Sequence, residues 1–282
     1  MRSSPLPEIR KPKRLAYILH VEYGLLVDLA ANVDQYYYEK KELKLKDDGT
    51  PKLRNGEPQY RIMTPAKGLL ENIQNLIKDN ILKKYDFPNY IQGGVRHRSN
   101  ITNAKIHQGK KYHFCTDIRD FFPTISSRAI YEMFIRNSFS ADVSSLLTKL
   151  TTYKGELPQG THTSTYLANM VFVPVADSMV ELCKRRGIFH SAFVDDLSFS
   201  SAKDFREVTL QIIAMIQKNG FRMNHRKTFY KVGPTKITGI WAKNNKLDAR
   251  SDQKRKLDDP NLTPLQRQGL QAYIDNVIKA FY

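Results

Sequence analysis

The order of apolar runs along the chain predicts an α+β fold built on a split βαβ sandwich. Three observations predict it. A strand from Tyr112 to Thr116 ends in an acid, Asp117. A tight strand-turn-strand, with apolar residues from Phe189 to Val194 before it and Leu197 to Phe199 after it, carries the adjacent acids Asp195 and Asp196. Helical spacing fills the interval between these two features and recurs after the second, before further strands at 228–242. The resulting order is β-α-β-β-α-β.

A chain of 282 residues, 41% hydrophobic and 11% aromatic, can bury a sizeable core as one large domain or as two or three lobes. Lys and Arg outnumber Asp and Glu by 45 to 28, for a net charge of +17. The excess is spread along the whole chain and is largest in its N-terminal part. A basic body, as opposed to a basic tail, suggests a long polyanion lying across the fold, and nucleic acid is the expected partner. Cys115 and Cys183 lack metal-ligand spacing and cannot build a disulfide framework. They read as core residues in a reducing cytoplasm. His20, Glu22 and Asp28 interrupt the apolar stretch 15–33, which argues against a signal peptide or membrane span. The expected location is cytoplasmic, with no membrane partner.

Residues 1–14 are basic and Pro-rich and are expected to form a flexible arm. Residues 15–33 have mostly helical spacing, with Gly24 a weak point. Asp48-Gly49 and Asn55-Gly56 are hairpin-turn dipeptides within a very basic stretch that ends at Tyr60 to Pro65. Leu69, Leu70, Ile73, Leu76, Ile77, Ile81 and Leu82 recur at three and four, an amphipathic helix. The polar segment 92–111 reads as a surface connection. Helix is expected over 127–150, with a polar break near Ser138 to Ser140, and over 164–183. Pro174 must there kink the helix or open a second one. Ser201 with Asp204 marks a helix start, Phe205 to Ile216 a buried stripe, and Gly220 its end. Residues 228–242 read as strands paired around Gly233-Pro234, and 264 onward as helix.

In a split βαβ sheet the strand bearing Asp117 lies beside the hairpin bearing Asp195 and Asp196. Three carboxylates then meet at one edge. Such charges repel and require a cation, and hard oxygen ligands select Mg2+. Two such ions, about 3.5–4 Å apart, can activate a hydroxyl and hold a leaving pyrophosphate in an in-line phosphoryl transfer.

The motifs resemble those of bacterial reverse transcriptases. Phe114-Cys115-Thr116-Asp117-Ile118-Arg119-Asp120-Phe121-Phe122-Pro123 is similar to motif A. Leu157-Pro158-Gln159-Gly160, continuing to Leu167-Ala168-Asn169, is similar to motif B. Phe193-Val194-Asp195-Asp196 resembles the Tyr-Ala-Asp-Asp box of motif C. Asn224 with Lys227-Thr228 resembles motif D, and Ile237-Thr238-Gly239 the motif that follows it. No one of these is specific alone; their order and spacing over roughly 60–241 are. Asn103-Ala104-x-x-His107 resembles the Asn-Ala-x-x-His signature of retron-type enzymes, and Ile237-Thr238-Gly239 their Val-Thr-Gly. The chain departs from the pattern at His162 and Thr165, where retron enzymes usually carry prolines, and at Phe193 and Val194.

The resemblance implies a right-hand polymerase, with fingers at 1–112, a palm at 113–241 and a short helical thumb at 242–282. It implies an RNA-directed DNA polymerase that copies a cognate structured noncoding RNA, serving as template and primer, into DNA from dNTPs. An effector protein and a role in anti-phage defence follow from the same likeness. Asp117, Asp195, Asp196 and the carbonyl of Ile118 would hold two Mg2+ ions. Phe122 would exclude a ribose 2′-OH or else belong to the core. Gln159 and Gly160 would lie against the incoming nucleotide. Arg61 would grip the triphosphate or is a plain surface charge. Lys227 would neutralise the departing pyrophosphate or form a structural ion pair. Asn103, His107, Ile237, Thr238 and Gly239 would contact the RNA. Trp241 and Tyr36 to Tyr38 read as core in preference to stacking platforms. Other defence-associated reverse transcriptases are the nearest alternative, and a non-catalytic RNA-binding module a further one. An RNA-dependent RNA polymerase would place an Asp where Phe122 stands and a Gly where Val194 stands.

Overall fold

The computed structural model describes residues 6, 8–46 and 49–280. In chain order the first elements are α1 (Pro12–Ile18), α2 (Tyr23–Ala31), β1 (Lys40–Leu43), β2 (Leu53–Arg54), β3 (Glu57–Pro58), β4 (Tyr60–Met63) and α3 (Gly68–Asn80). There follow α4 (Asn100–His107), β5 (Tyr112–Asp117), α5 (Phe121–Thr124), α6 (Ser127–Arg136), α7 (Ala141–Thr151) and α8 (Ser164–Arg185). The chain continues through β6 (Phe189–Phe193), β7 (Asp196–Ser201), α9 (Thr209–Lys218), β8 (Phe229–Val232) and β9 (Thr235–Ile237). It ends with β10 (Ile240–Ala242), β11 (Leu247–Asp248), α10 (Ser251–Lys256) and α11 (Pro264–Lys279). Two compact units result, residues 1–88 with 120–174 and residues 89–119 with 175–282.

In the first unit, helices α1, α2, α3 and α6 pack against α7. Ser126 and Ser140 cap α6 and α7 by accepting from Ala129 and Val143 N–H, and this explains the break near 138–140. The run 15–33 is two helices, with His20 at φ 54° between them. The N-terminal segment is not a loose arm where it is described. Leu6 and Ile9 are buried, the Ile9 carbonyl accepts from Ser140 N–H, and Pro12 already opens α1. Asn55 and Gly56, at φ 52° and 85°, form the two-residue turn between β2 and β3 that their sequence predicts. Of the other turn dipeptide, Asp48 lies outside the described residues. Strand β1 pairs with β4, so Glu42 stands opposite Arg61.

In the second unit the four-stranded sheet runs β6-β7-β5-β8, every neighbouring pair antiparallel. This is the split βαβ arrangement: β7 lies between β5 and β6, the two strands joined by the helical crossover. β8 does not pair with β9 across Gly233-Pro234. It closes the sheet on β5, while β9, β10 and β11 make a separate ribbon. The segment 92–111 is more than a connection, because it contains α4, whose Asn103, Ala104 and His107 are fully buried. A short helical turn at 206–208 delays α9 to Thr209. Ribbon, α4 and α11 share an apolar cluster that includes Ala104, Ile237, Ile240, Leu247, Ile274 and Val277.

Helix α8 runs unbroken through Pro174. By length and composition it could cross a bilayer, but 56% of its most apolar window is buried inside the protein, as in a core helix. Both cysteines are buried free thiols, and burial pushes each up to about 12, which leaves them unreactive.

Within the first unit the fully buried Gln74 amide donates to the Tyr37 hydroxyl (2.9 Å) and the Leu150 carbonyl (3.0 Å), joining α3 to α7 and to the segment before β1. Gln74→Leu leaves both partners buried without a donor. It is expected to cost about 1–3 kcal/mol, measured as a lower urea midpoint at unchanged slope.

Candidate active site

Strands β6 and β7 pair through Phe193 opposite Asp196, so Val194 and Asp195 are the two residues of the turn. Val194 sits at φ 60°, a left-handed conformation that costs a β-branched residue about 1–3 kcal/mol. Neighbouring backbone holds it there. Ala192 N–H donates to the Tyr90 carbonyl (2.7 Å) and its own carbonyl accepts from Gln92 N–H (2.7 Å), so residues 90–92 lie along β6 as a short extra strand. The next residue, Gly93, meets the turn itself. A Cβ there would stand 2.5 Å from Val194 N, closer than real Cβ atoms come. The other side of the turn is tied by Ile118 N–H, which donates to the Asp195 carbonyl (2.8 Å).

Asp117 closes β5 directly opposite Asp196 of β7 and is only 4% exposed. Its surroundings come from the chain between α9 and β8. Asn224 N–H donates to the Asp117 carbonyl (2.8 Å), Asn224 Nδ2 donates to Oδ1 (3.1 Å), and Lys227 Nζ pairs with Oδ2. The Thr116 and Thr228 hydroxyls hydrogen-bond at 2.7 Å, and Met223 bridges to Ile118, so this segment is fastened on both sides of the acid. Burial, and next the charge of Asp195, raise the Asp196 carboxyl to about 6, against a smaller opposing pull from Lys227. Burial works against the Lys227 ammonium, yet its bond to Asp117 and the charges of Asp117, Asp196 and Asp195 hold it above its ordinary range.

This is an anionic centre, and Lys227 is a cation paired with it. Among the described residues no group of three His, Cys, Asp or Glu side chains is gathered tightly enough to grip a metal as it stands. The donor chemistry nevertheless fits a hard divalent ion. Asp117, Asp195, Asp196 and the Ile118 carbonyl offer only oxygen, and the repulsion that raises Asp196 is what a dication relieves.

Arg61, Phe122, Gln159 and Gly160 belong to the first unit. The Gln159 carbonyl accepts from Thr64 N–H (2.7 Å), which docks the turn at 158–160 on the end of β4, the strand that exposes Arg61. Gly160, at φ 103°, is packed so that a Cβ would touch Met63 Cε at 3.0 Å. Phe122 is half-buried, with its ring 5.8 Å from that of Phe121.

Three of the five residues expected to contact RNA, Asn103, His107 and Ile237, are buried. Asn103 and His107 are fully buried and face protein, so neither can touch RNA in this structure. Ile237 is 1% exposed and belongs to the apolar cluster. Thr238 and Gly239, at φ 42° and 85°, form the β9–β10 turn, and Thr238 Oγ1 accepts from Asn103 Nδ2 (3.1 Å). The two retron-like signatures are therefore bonded to each other. Of the aromatic residues read as core in preference to stacking platforms, Tyr37 is buried, Tyr38 is exposed, and Trp241 lies under Lys231 Nζ at 5.1 Å.

Sequence reasoning assigned no role to Gly93, and left Asn224 a motif residue without a task. The doublet Gly93-Gly94 was the available signal for the first. Nothing local marks the second, whose partner is over a hundred residues away.

Asp196 gives the site a pH signature. Its carboxyl is raised in the folded protein from an unfolded value near 3.9. Its contribution is therefore fully present below about pH 4 and is lost as pH rises through about 6, a loss of about 2–3 kcal/mol. Asp196→Asn is expected to melt above wild type at pH 7.5 in the presence of a chelator, with the gap closing near pH 4. Parallel melting curves across that range would contradict this.

The family of reverse transcriptases (RNA-dependent DNA polymerases) matches residues 47–242. The retron Se72 reverse transcriptase of Salmonella heidelberg is 30% identical over 81% of this chain and 61% of its own length. The retron Ec86 reverse transcriptase of Escherichia coli is 28% identical over 68% of this chain, again with 61% of its length matched. The chain thus spans about three-fifths of each of these relatives. A telomerase from Candida albicans, solved with a fragment of telomeric RNA, superposes at a TM-score of 0.52 and 9% identity over 79% of this chain and 48% of its own, a likeness of fold. With its motifs in order, its split βαβ sheet and its three acids at one end of that sheet, the chain belongs to the reverse transcriptase family, and its sequence relatives are retron-type members.

Proposed function

We propose that the chain is an RNA-directed DNA polymerase of retron type, which copies a cognate noncoding RNA into DNA from dNTPs in the cytoplasm. One observation carries the reading: Asp117 and Asp196 are register partners, and Asp195 stands on a two-residue turn bonded to the residue after Asp117. Asp117, Asp195, Asp196 and the Ile118 carbonyl are the groups that would hold Mg2+. Ions held there would supply Lewis-acid activation of the primer hydroxyl and charge neutralisation for the leaving pyrophosphate.

The remaining roles belong to the chain itself. Asn224 fixes the rotamer of Asp117 by occupying Oδ1. Lys227, held protonated beside the acids, is placed to move toward negative charge on the departing pyrophosphate. Arg61 is assigned to the triphosphate, since its guanidinium is exposed and offers bidentate contacts. Gln159 and Gly160 are assigned to the incoming nucleotide. Phe122 is assigned to the sugar, where a ring excludes a 2′-hydroxyl. The fingers, palm and thumb are assigned to 1–112, 113–241 and 242–282. The cognate RNA serves as template and primer, and an effector protein with a part in anti-phage defence completes the reading, supported by the retron relatives.

Primer extension on an RNA template, with dNTPs or rNTPs, tests this. Loss of an acid that shares the ions removes several kcal/mol of charge stabilisation, so Asp195→Ala is expected to slow extension by about a hundredfold or more. Phe122→Ala is expected to raise ribonucleotide incorporation relative to deoxynucleotide by about tenfold or more, a change of ~1.4 kcal/mol. Extension by Asp195→Ala at the wild-type rate would overturn the metal assignment. Preference of the wild type for rNTPs would overturn the assignment of substrate.

A further inference from the structure

The buried imidazole of His107 lies against one face of the two paired strands that present Asp195 and Asp196. Its Nδ1 is 2.7 Å from Ser200 Oγ on β7, and its Nε2 is 2.8 Å from Ser191 Oγ on β6. Ser191 pairs with Ser198 and Phe189 with Ser200, so the two hydroxyls lie two positions apart along neighbouring strands and point to the α4 side. The ring is fully buried. Burial, followed by the nearby His113, His190 and Lys110, pushes it down to about 3, so it stays neutral. A neutral imidazole has one donor nitrogen and one acceptor nitrogen. It therefore accepts a hydrogen bond from one serine hydroxyl and donates one to the other, which fixes both hydroxyls and the stagger of the strands.

The same helix reaches the C-terminal elements. Asn103 Nδ2 donates to Thr238 Oγ1 (3.1 Å) in the β9–β10 turn, and Asn100 Nδ2 donates to the Tyr273 hydroxyl of α11 (2.8 Å). Ala104, next to Asn103 on the helix, packs in the cluster with Ile237, Ile240 and Ile274. The start of α4 is itself fixed by a capping box between Ser99 and Thr102, and the Thr102 hydroxyl donates to Gln92 Oε1 (2.7 Å). Gln92 is the residue whose N–H bonds β6 beside the turn.

We propose that His107 is a positioning residue for the acid pair, and that through Asn103 and Asn100 helix α4 couples the placement of the Asp195–Asp196 hairpin to the C-terminal ribbon and α11. The Asn-Ala-x-x-His and Ile-Thr-Gly signatures are then two halves of one internal coupling, and any effect of these residues on RNA is transmitted through it. The kinetic part rests on the polymerase reading; the structural part does not.

Two variants separate the roles. His107→Phe keeps the ring volume and removes both hydrogen bonds, whereas His107→Gln restores one donor and one acceptor. Hydrogen exchange read on peptides spanning 189–201 and 235–242 tests the coupling without any activity. His107→Phe is expected to speed exchange at least fivefold in 189–201, with a smaller rise in 235–242, and His107→Gln to recover most of both. In primer extension His107→Phe is expected to lower kcat about ten- to thirtyfold with KM for dNTP within about twofold, and His107→Gln to regain at least a third of kcat. The double variant Ser191→Ala with Ser200→Ala, which leaves the ring in place, is expected to reproduce the loss of kcat. Wild-type exchange in both peptides of His107→Phe overturns the coupling, whatever the activity. A kcat fall that neither His107→Gln relieves nor the serine pair reproduces overturns the positioning role. An inactive wild type with the expected exchange pattern counts against the polymerase reading and leaves the coupling standing.

Discussion

Mutual repulsion among carboxylates is the constraint around which the second unit is arranged. Asp117 and Asp196 are brought face to face by strand register, and Asp195 follows one position away on the turn. Burial makes their charges harder to bear, and it is the main cause that raises the pKa of Asp196. Nothing in that grouping stabilises the fold by itself. It persists because the surrounding backbone bonds leave the chain little alternative: residues 90–92 along β6, Ile118 to Asp195, Asn224 to Asp117 and His107 beneath the hairpin. Lys227 supplies the compensating charge.

The bonds that fix the acids are mostly backbone to backbone or made by neutral side chains. This matters for a centre that must accept and release charged groups. Asn224 and the Ile118 and Gln92 amides do not change protonation, and His107 is held neutral by its burial. The parts expected to respond to charge are therefore few, chiefly Asp196 and Lys227. Geometry and charge are assigned to different residues, so one can change while the other stays put.

Much of this was legible in the sequence because the signals were local. The β5 run ending in an acid, the Asp-Asp turn flanked by apolar residues, the Asn55-Gly56 turn and the period of α3 each occupy a dozen residues or fewer. Errors came where partners are distant. Segment 92–111 looks polar along its length, yet α4 within it turns Asn103, Ala104 and His107 inward, because Ala104 joins an apolar cluster and the hydrogen-bond partners of Asn103 and His107 lie at positions 238, 191 and 200. Strand β8 was assigned to its neighbour in sequence, but β5 offered it a longer register. Asn103 Nδ2, Thr238 Oγ1 and both ring nitrogens of His107, read as RNA contacts, are bonded within the protein, which no spacing rule reveals.

Val194 is larger than the alanine of the Tyr-Ala-Asp-Asp pattern, and its Cγ2 lies 2.7 Å from where a side chain on Gly93 would begin. The valine methyl fills part of the volume that the missing side chain leaves open. A smaller residue at 194 would still make no room for a side chain at 93, because the backbone atoms Val194 N and Phe193 C stand 2.5 and 2.8 Å from that Cβ position. The residue before the acids can therefore vary only over a glycine kept about a hundred residues upstream.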